Sequence, residues 1–337
     1  MAEIDYPAIL DVAWQKHLAP READAPTVIS TFAGAGGSSL GYSIAGYREM
    51  LAVEWDNNAV ETFRLNFPEV PVYHGDICKL SVEECLRLAK VAPGELDVLD
   101  GSPPCQGFST AGKRDMGDAR NQLFREYVRL LRGLRPKVFV MENVSGMVKG
   151  KMKLIFAEIM RELKVSGYRV SARLMNAMYF HVPQSRERMI FIGVRDDLGI
   201  EPSHPKAESR PVTVGEALSG IVPSFIKVCS DLYGRYWRQA KAGEALGKSF
   251  ADWKLDPNKS CPTLRKKGGF LRWDASRWLA RSEYASLGSY PSAFSFIGDE
   301  VDGINRIGNS VPPLFMAAIS RHIRQEILGG ARPTSPL

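Results

Sequence analysis

Between residues 27 and 194 the chain alternates short apolar, β-branched runs with segments of helical period, and no other feature restricts its fold as much. Thr27-Val28-Ile29-Ser30-Thr31-Phe32 reads as a first strand, followed by a Gly-rich turn and a helix to about Tyr47. Residues 51–55 read as a second strand, 57–67 as a helix with Val60, Phe63 and Phe67 on one face, 72–73 as a short strand, and 82–90 as a helix. Residues 96–100, 138–142 and 189–194 are further strands of buried type. Helical spacing lies between them at Leu123, Tyr127, Leu130, Leu131 and Leu134, and again at Leu154, Ile155, Ile159 and Leu163. Strands joined through helices must run parallel, so the expected fold is α/β, a mostly parallel sheet with helices on both faces. Residues 1–26 read as an irregular or helical lead-in ending at Ala25-Pro26. After Val194 the pattern gives way to Pro, Ser and Gly among basic and aromatic residues as far as about 298, where a smaller domain is expected. Residues 311–328 regain helical spacing through Leu314, Phe315, Ala318, Ile319, Ile323 and Ile327, so the C-terminal segment, about 299–330, is expected to return to the domain at 27–195.

Composition narrows the class. With 45% hydrophobic and 24% charged residues in 337, the chain is of soluble globular type. No apolar run approaches the roughly 20 residues of a membrane span, and Glu3, Asp5 and Asp11 stand where a signal peptide would be basic and then apolar. A cytosolic protein is therefore expected. Five cysteines with no CxxC pair and no histidine at zinc-finger spacing indicate neither a disulfide framework nor a metal site, so any special cysteine must be special chemically. From Lys227 to Arg277, twelve Lys/Arg stand against five Asp/Glu, a local +7 against +6 for the whole chain. Trp237, Trp253, Trp273 and Trp278 lie in or beside that stretch. Interleaved cations and flat rings suit a polyphosphate-binding surface, and equally a small core with a solvated rim.

In an open parallel sheet ligands sit beyond the carboxyl ends of the strands, and reactive residues gather there. Phe32-Ala33-Gly34-Ala35-Gly36-Gly37 follows strand one, with glycines that let a ligand approach the backbone but without GxGxxG spacing. Glu54-Trp55-Asp56 ends strand two, where a carboxylate about 20 positions after the glycines can bind ribose hydroxyls and an indole can stack on a base. Asp76 follows strand three, placed to accept from an adenine amine. Together these indicate an adenosine-containing cofactor. Strand four leads to Pro103-Pro104-Cys105-Gln106, the position of an activated nucleophile. Strand five ends in Glu142-Asn143-Val144, so Glu142 lies beside Cys105 if the two strands are neighbours. A cysteine and a carboxylic acid without a catalytic histidine suit addition to a ring that is protonated as it is attacked. Arg186 and Arg188, two apart before the last strand, share one side of an extended segment, available to a phosphate or to the acid and substrate.

These motifs, in this order from about Thr27 to Ile327, resemble those of cytosine-5 DNA methyltransferases of prokaryotic type. Phe32 to Gly37 resembles the FxGxGG turn, Pro103 to Gln106 the nucleophile loop, Glu142-Asn143-Val144 the ENV motif, Gln184 to Arg188 the QxRxR motif, and Gly308 to Pro313 the GNxVPP motif. Residues 262–265 and 281–296 resemble the penultimate motif, with Leu287-Gly288-Ser289-Tyr290-Pro291 departing from the frequent Leu-Gln-Gly-Phe-Pro.

The resemblance implies a Rossmann-like methyltransferase sheet and a target-recognition domain at 196–298. It implies an S-adenosylmethionine site, leaving S-adenosylhomocysteine, formed by Phe32, Ala33, Gly34, Gly36, Gly37, Glu54, Trp55, Asp76, Ile77, Pro104, Leu123, Asn309 and Ser310. It makes Cys105 the nucleophile at cytosine C6 and Glu142 its partner at N3 and the exocyclic amine, with Arg188 steadying both and Arg186 and Gln184 in support. The target base is flipped out of double-stranded DNA, with 106–120 as a lid. Gln106, Ser109, Lys113, Arg114, Arg265, Lys266 and Lys267 are the expected DNA contacts. Monomeric action is the default that follows, and an associated restriction endonuclease is compatible with it but not implied. A tRNA cytosine-5 methyltransferase would share these motifs, but its Cys-Phe-Thr triplet is absent from the variable region. Intact Cys105, Glu142 and Arg188 argue against a DNA-binding protein that has lost catalysis, and the missing GxGxxG against a nicotinamide oxidoreductase.

Overall fold

The computed structural model describes residues 4–104, 119–148, 152–223, 225–247, 252–266 and 269–329. After α1 (Tyr6–Leu18), the strands and helices alternate as β1 (Thr27–Thr31), α2 (Gly37–Ile44), β2 (Arg48–Glu54), α3 (Asn57–Asn66), β3 (Val72–His74), α4 (Val82–Ala89), β4 (Val98–Gly101), α5 (Ala119–Leu134), β5 (Val138–Val144) and α6 (Met152–Val165). β6 (Tyr168–Asn176), β7 (Gln184–Ser185) and β8 (Glu187–Arg195) follow, with β8 running antiparallel to β5 and to β6, and β7 pairing in parallel with the later strand at Cys261–Pro262. The sheet order is β3-β2-β1-β4-β5-β8-β6, parallel from β3 to β5 and antiparallel at β8 and β6. The order reverses between β1 and β4, which opens the crevice where such sheets bind ligands.

Two apolar layers enclose the sheet. On one face Leu40, Tyr42, Phe315, Ile319 and Ile323 pack with Tyr6, Leu10 and Ala13 of α1, so the lead-in is a helix built into the core. On the other, Cys85, Tyr127, Leu130, Leu131 and Ile159 cover the sheet. The Tyr127 hydroxyl donates towards the carbonyls of Leu99 (3.3 Å) and Val140 (3.2 Å), keeping a phenol buried without an unpaired donor.

Beyond β8 the chain is mostly irregular, with α7 (Val214–Ala217), α8 (Asp231–Gln239), and the two-residue strands β9 (Trp253–Lys254), β10 (Cys261–Pro262) and β11 (Phe270–Leu271). α9 (Arg281–Leu287) and α10 (Glu300–Asn309) lead to α11 (Pro313–His322), which starts on proline, where a missing N–H costs nothing, and is buried from Pro313 to Ser320. The first core layer runs on into Val212, Leu255, Phe270 and Tyr284 of this part. Among the described residues no helix is long and apolar enough to cross a membrane, and no group of three or more His, Cys, Asp or Glu could hold a metal ion.

Candidate active site

At the carboxyl ends of β1 and β2 one carboxylate organises the turn. Glu54 Oε2 accepts the Gly34 N–H (2.8 Å) and Oε1 accepts those of Trp55 and Asp56 (2.9 Å each). Phe32 is held at φ 55°, a strained value for a non-glycine residue of the kind that persists where the surroundings enforce it. A Cβ placed on Gly34 would meet nothing within 4 Å, so open space adjoins Glu54. A Cβ on Gly37 would lie 2.5 Å from the Val311 carbonyl oxygen, so the glycine lets the segment at 310–313 close on this turn. Trp55 is 76% exposed. Asp76 caps the turn Ile77–Lys79 by accepting the Cys78 N–H (3.0 Å), which holds its carboxyl below the usual range, and Ile77 is buried beneath it. Ala33 is buried, Leu123 half-buried on α5, Pro104 exposed, and Asn309 exposed at the end of α10. The Ser310 hydroxyl receives a hydrogen bond from Tyr290 (2.8 Å).

One strand further on lies the second group. Gly101 pairs with Met141, so the next residue of β5, Glu142, stands where the chain leaves β4 towards Cys105. Asn143 Nδ2 donates to the Pro103 carbonyl (3.1 Å), tying the start of that loop to β5. Arg188, brought alongside by the antiparallel β8, places Nε 2.6 Å from Glu142 Oε1, and both side chains are nearly buried. Water cannot compete there, so the pair fixes the carboxylate in place. Arg186 takes a different part from its neighbour. It is buried, donates to the carbonyls of Leu264 and Gly308 (3.2 Å each) and approaches Gln184 Oε1 (3.5 Å), with no hydrogen bond to Glu142. Burial and the nearby Arg188 charge pull its guanidinium down to about 9. Gln184 in turn accepts the Leu264 N–H (3.0 Å). These two side chains join the QxRxR segment to 264 and 308, and act on the site through the backbone. A Cβ on Gly308 would fall 2.5 Å from the Arg265 carbonyl oxygen, so glycine is needed for that closure. Cys105, Gln106, Ser109, Lys113, Arg114 and Lys267 lie outside the described residues.

The model of C-5 cytosine-specific DNA methylases matches residues 26–221 and 225–325. The chain belongs to that family. It is 35% identical over 327 residues to the type II methyltransferase M1.HphI of Haemophilus parahaemolyticus, covering 88% of this chain and 86% of the relative. To M.NgoPII of Neisseria gonorrhoeae it is 37% identical over 335 residues, covering 89% and 96%. Among solved structures, one described as a DNA modification methyltransferase encoded within an E. coli prophage superposes with TM-score 0.78 at 27% identity, over 90% of this chain and all of that one (100%). The Dnmt2 methyltransferase of S. pombe shares the fold at TM-score 0.66 and 17% identity, over 89% and 98% of the two chains. This protein is thus a DNA cytosine-5 methyltransferase, and family membership implies S-adenosylmethionine as methyl donor.

In this methylase the basic, aromatic stretch divides in two. Arg272 (2.9 Å) and Arg277 (2.7 Å) converge on the fully buried Glu283. Lys254 Nζ sits 3.8 Å over the Trp237 ring, and Trp237 donates to the Arg272 carbonyl (2.6 Å). These groups build the small core that composition left as one of two options. Arg235 and Arg238 on α8 are exposed and make no ion pair or hydrogen bond among the described residues. With Leu232, Tyr236 and Gln239, Arg235 forms an outward stripe at helical spacing. Arg265 and Lys266 are also exposed. Sequence reasoning missed the pairing of Asp56 with Arg306 and the burial of Asp100, because the partner of the first and the surroundings of the second come from residues far away in the chain.

Proposed function

We propose that this enzyme methylates C5 of a flipped-out cytosine, within a short specific sequence of double-stranded DNA, through a covalent bond between Cys105 and C6. The observation that carries the reading is the Glu142–Arg188 pair, set where the loop bearing Cys105 leaves β4 and tied to that loop through Asn143. Cys105, as thiolate, adds to C6 while Glu142 engages N3 and the exocyclic amine, taking up the charge that would otherwise build on the ring. C5 becomes nucleophilic as a result. Bound S-adenosylmethionine supplies an electrophilic methyl group for it. Loss of the C5 proton and elimination of Cys105 restore the aromatic ring. Because a duplex hides C5 and C6, the base leaves the stack at a cost of a few kcal/mol, which protein contacts offset.

The donor's adenosine fits the first group of residues: open space at Gly34, the Glu54 carboxylate for ribose hydroxyls, the exposed Trp55 ring for the base, and Asp76 and Ile77 at its edge. Phe32, Ala33, Gly36, Gly37, Pro104, Leu123, Asn309 and Ser310 complete that site in this reading. Residues 196–298 are the target-recognition region, contacting phosphates through Arg265, Lys266 and Lys267, with Gln106, Ser109, Lys113 and Arg114 as contacts from the nucleophile loop. The enzyme acts as a monomer, with a cognate restriction endonuclease as its counterpart.

The test is to incubate purified protein with S-adenosylmethionine and unmethylated genomic DNA and map 5-methylcytosine at base resolution. Methylation confined to one short context supports the reading. Cys105→Ala is expected to abolish transfer and keep DNA binding, and full activity in that variant refutes the covalent route.

A further inference from the structure

One face of α3, from its first turn to its last, is gripped by a part of the chain some 240 residues away. Asn58, Thr62 and Asn66 follow one another at helical spacing along α3, and each is taken by the segment that returns from the variable region. Asn58 Nδ2 donates to Asp302 Oδ2 (3.0 Å), and the Ile297 N–H donates to Thr62 Oγ1 (3.0 Å). Asn66 exchanges two hydrogen bonds with the backbone of Ser295 (2.8 and 3.0 Å). The series ends at Arg306, one turn past Asp302 on α10, which pairs with Asp56.

Asp56 lies between this fastening and the cofactor residues. It caps α3 by accepting the Ala59 N–H (3.0 Å), while its own N–H donates to Glu54 Oε1 (2.9 Å). Burial would raise its carboxyl, but the Ala59 N–H and the Arg306 charge outweigh that and hold it below the usual range. A guanidinium at a helix N-terminus opposes the helix dipole, so Arg306 is a poor choice for stabilising α3 itself. It is a good choice for pinning Asp56. The exposed Trp55 packs on no other aromatic ring among the described residues, so its direction depends on the backbone on either side.

We propose that Arg306 is a positioning residue for the methyl donor: by holding Asp56 it fixes the turn at 54–56, and with it the spacing between the Glu54 carboxylate and the Trp55 ring. This rests on the cofactor site proposed above. The role calls for a side chain of Arg306's charge and reach on α10, and Arg306 stands outside the GNxVPP motif, which begins at Gly308.

The experiment measures S-adenosylhomocysteine affinity by calorimetry, with KM for S-adenosylmethionine and kcat, in the wild type, Arg306→Ala, Arg306→Lys and Glu54→Ala. For Arg306→Ala the expected result is a loss of affinity and a rise in KM of about ten-fold, with kcat at saturating donor within about two-fold of wild type. Arg306→Lys recovers most of the affinity, and adding Asp56→Asn to Arg306→Ala costs nothing further, since both act through one contact. If Glu54→Ala loses cofactor and Arg306→Ala does not, the inference is overturned and the cofactor site stands. If Glu54→Ala also binds normally, the site itself is misplaced and the inference falls with it. A lower thermal midpoint in Arg306→Ala with unchanged KM overturns it in favour of a fastening role alone. Should Arg306→Ala fail to fold, Arg306→Gln, which keeps the hydrogen bond and loses the charge, is read in the same way.

Discussion

The two halves of the site are built by different means. The half proposed for the cofactor takes its geometry from neighbours: Glu54 is bound to Gly34, Trp55 and Asp56, all within 20 residues, at the ends of adjacent strands. The half proposed for the target base takes its geometry from afar. Arg188 crosses from β8 to Glu142 on β5, and Arg186 reaches carbonyls 78 and 122 residues along the chain. A site organised locally survives changes elsewhere, whereas one organised through long closures depends on the whole chain having folded. The irregular part beyond β8 thus reaches into the site, because the Leu264 carbonyl, with that of Gly308, holds the arginine two residues from the one that pairs with Glu142.

That contrast can be broken most directly at Glu142. Glu142→Gln keeps the side chain's shape and removes its charge, and we expect kcat to fall on the order of 100-fold or more. Cofactor affinity by calorimetry should stay unchanged, and a parallel loss would mean that the halves are not separate. Next, Arg186→Met should cost about 2 kcal/mol in a urea titration, since it leaves the Leu264 and Gly308 carbonyls without the Arg186 donor. Equal stability of this variant and wild type would remove Arg186 as the joint.

Between the halves, at the end of β4, lies Asp100, pushed up to about 8 by burial and by the nearby Glu49, itself raised to about 7 by burial. Both carboxyls hold their protons in the fold at pH values where the unfolded chain, with carboxyls near 4, releases them. Their contribution to stability is therefore full below about pH 4 and is lost as pH rises towards 8. The urea midpoint should fall across that window, and Asp100→Asn should flatten the fall. A wild-type midpoint that climbs over the same range would contradict the burial of these acids in neutral form.

The smallest effect belongs to the surface. Replacing Arg235 and Arg238 together by alanine should weaken binding to duplex DNA and reduce its salt dependence by about one unit of slope for each phosphate left without its cation. A changed methylation context with the salt slope intact would instead make α8 a reader of base edges.

Much of the frame was legible because its signals are local. β-branched runs give strands, helical spacing gives helices, and the motif residues fall at strand ends whatever the connections do. β6 escaped because an edge strand, half-exposed along Tyr168–Asn176, lacks clean alternation. α10 escaped because it buries only Gly303, Ile307 and Gly308. The basic stretch was legible as charge and misleading as surface, since the acid that neutralises Arg272 and Arg277 is Glu283, six positions beyond the last cation counted.

The sequence by itself determined the layered α/β frame, the family, and the candidate nucleophile and acid, because those depend on periodicity and on residue type at short spacing. Only the tertiary structure decided which arginine meets Glu142, which binds the backbone, and which cations of the basic stretch face outward. Those assignments follow from distances between residues far apart in the chain, and in a buried site the partner within reach settles what a charge can do.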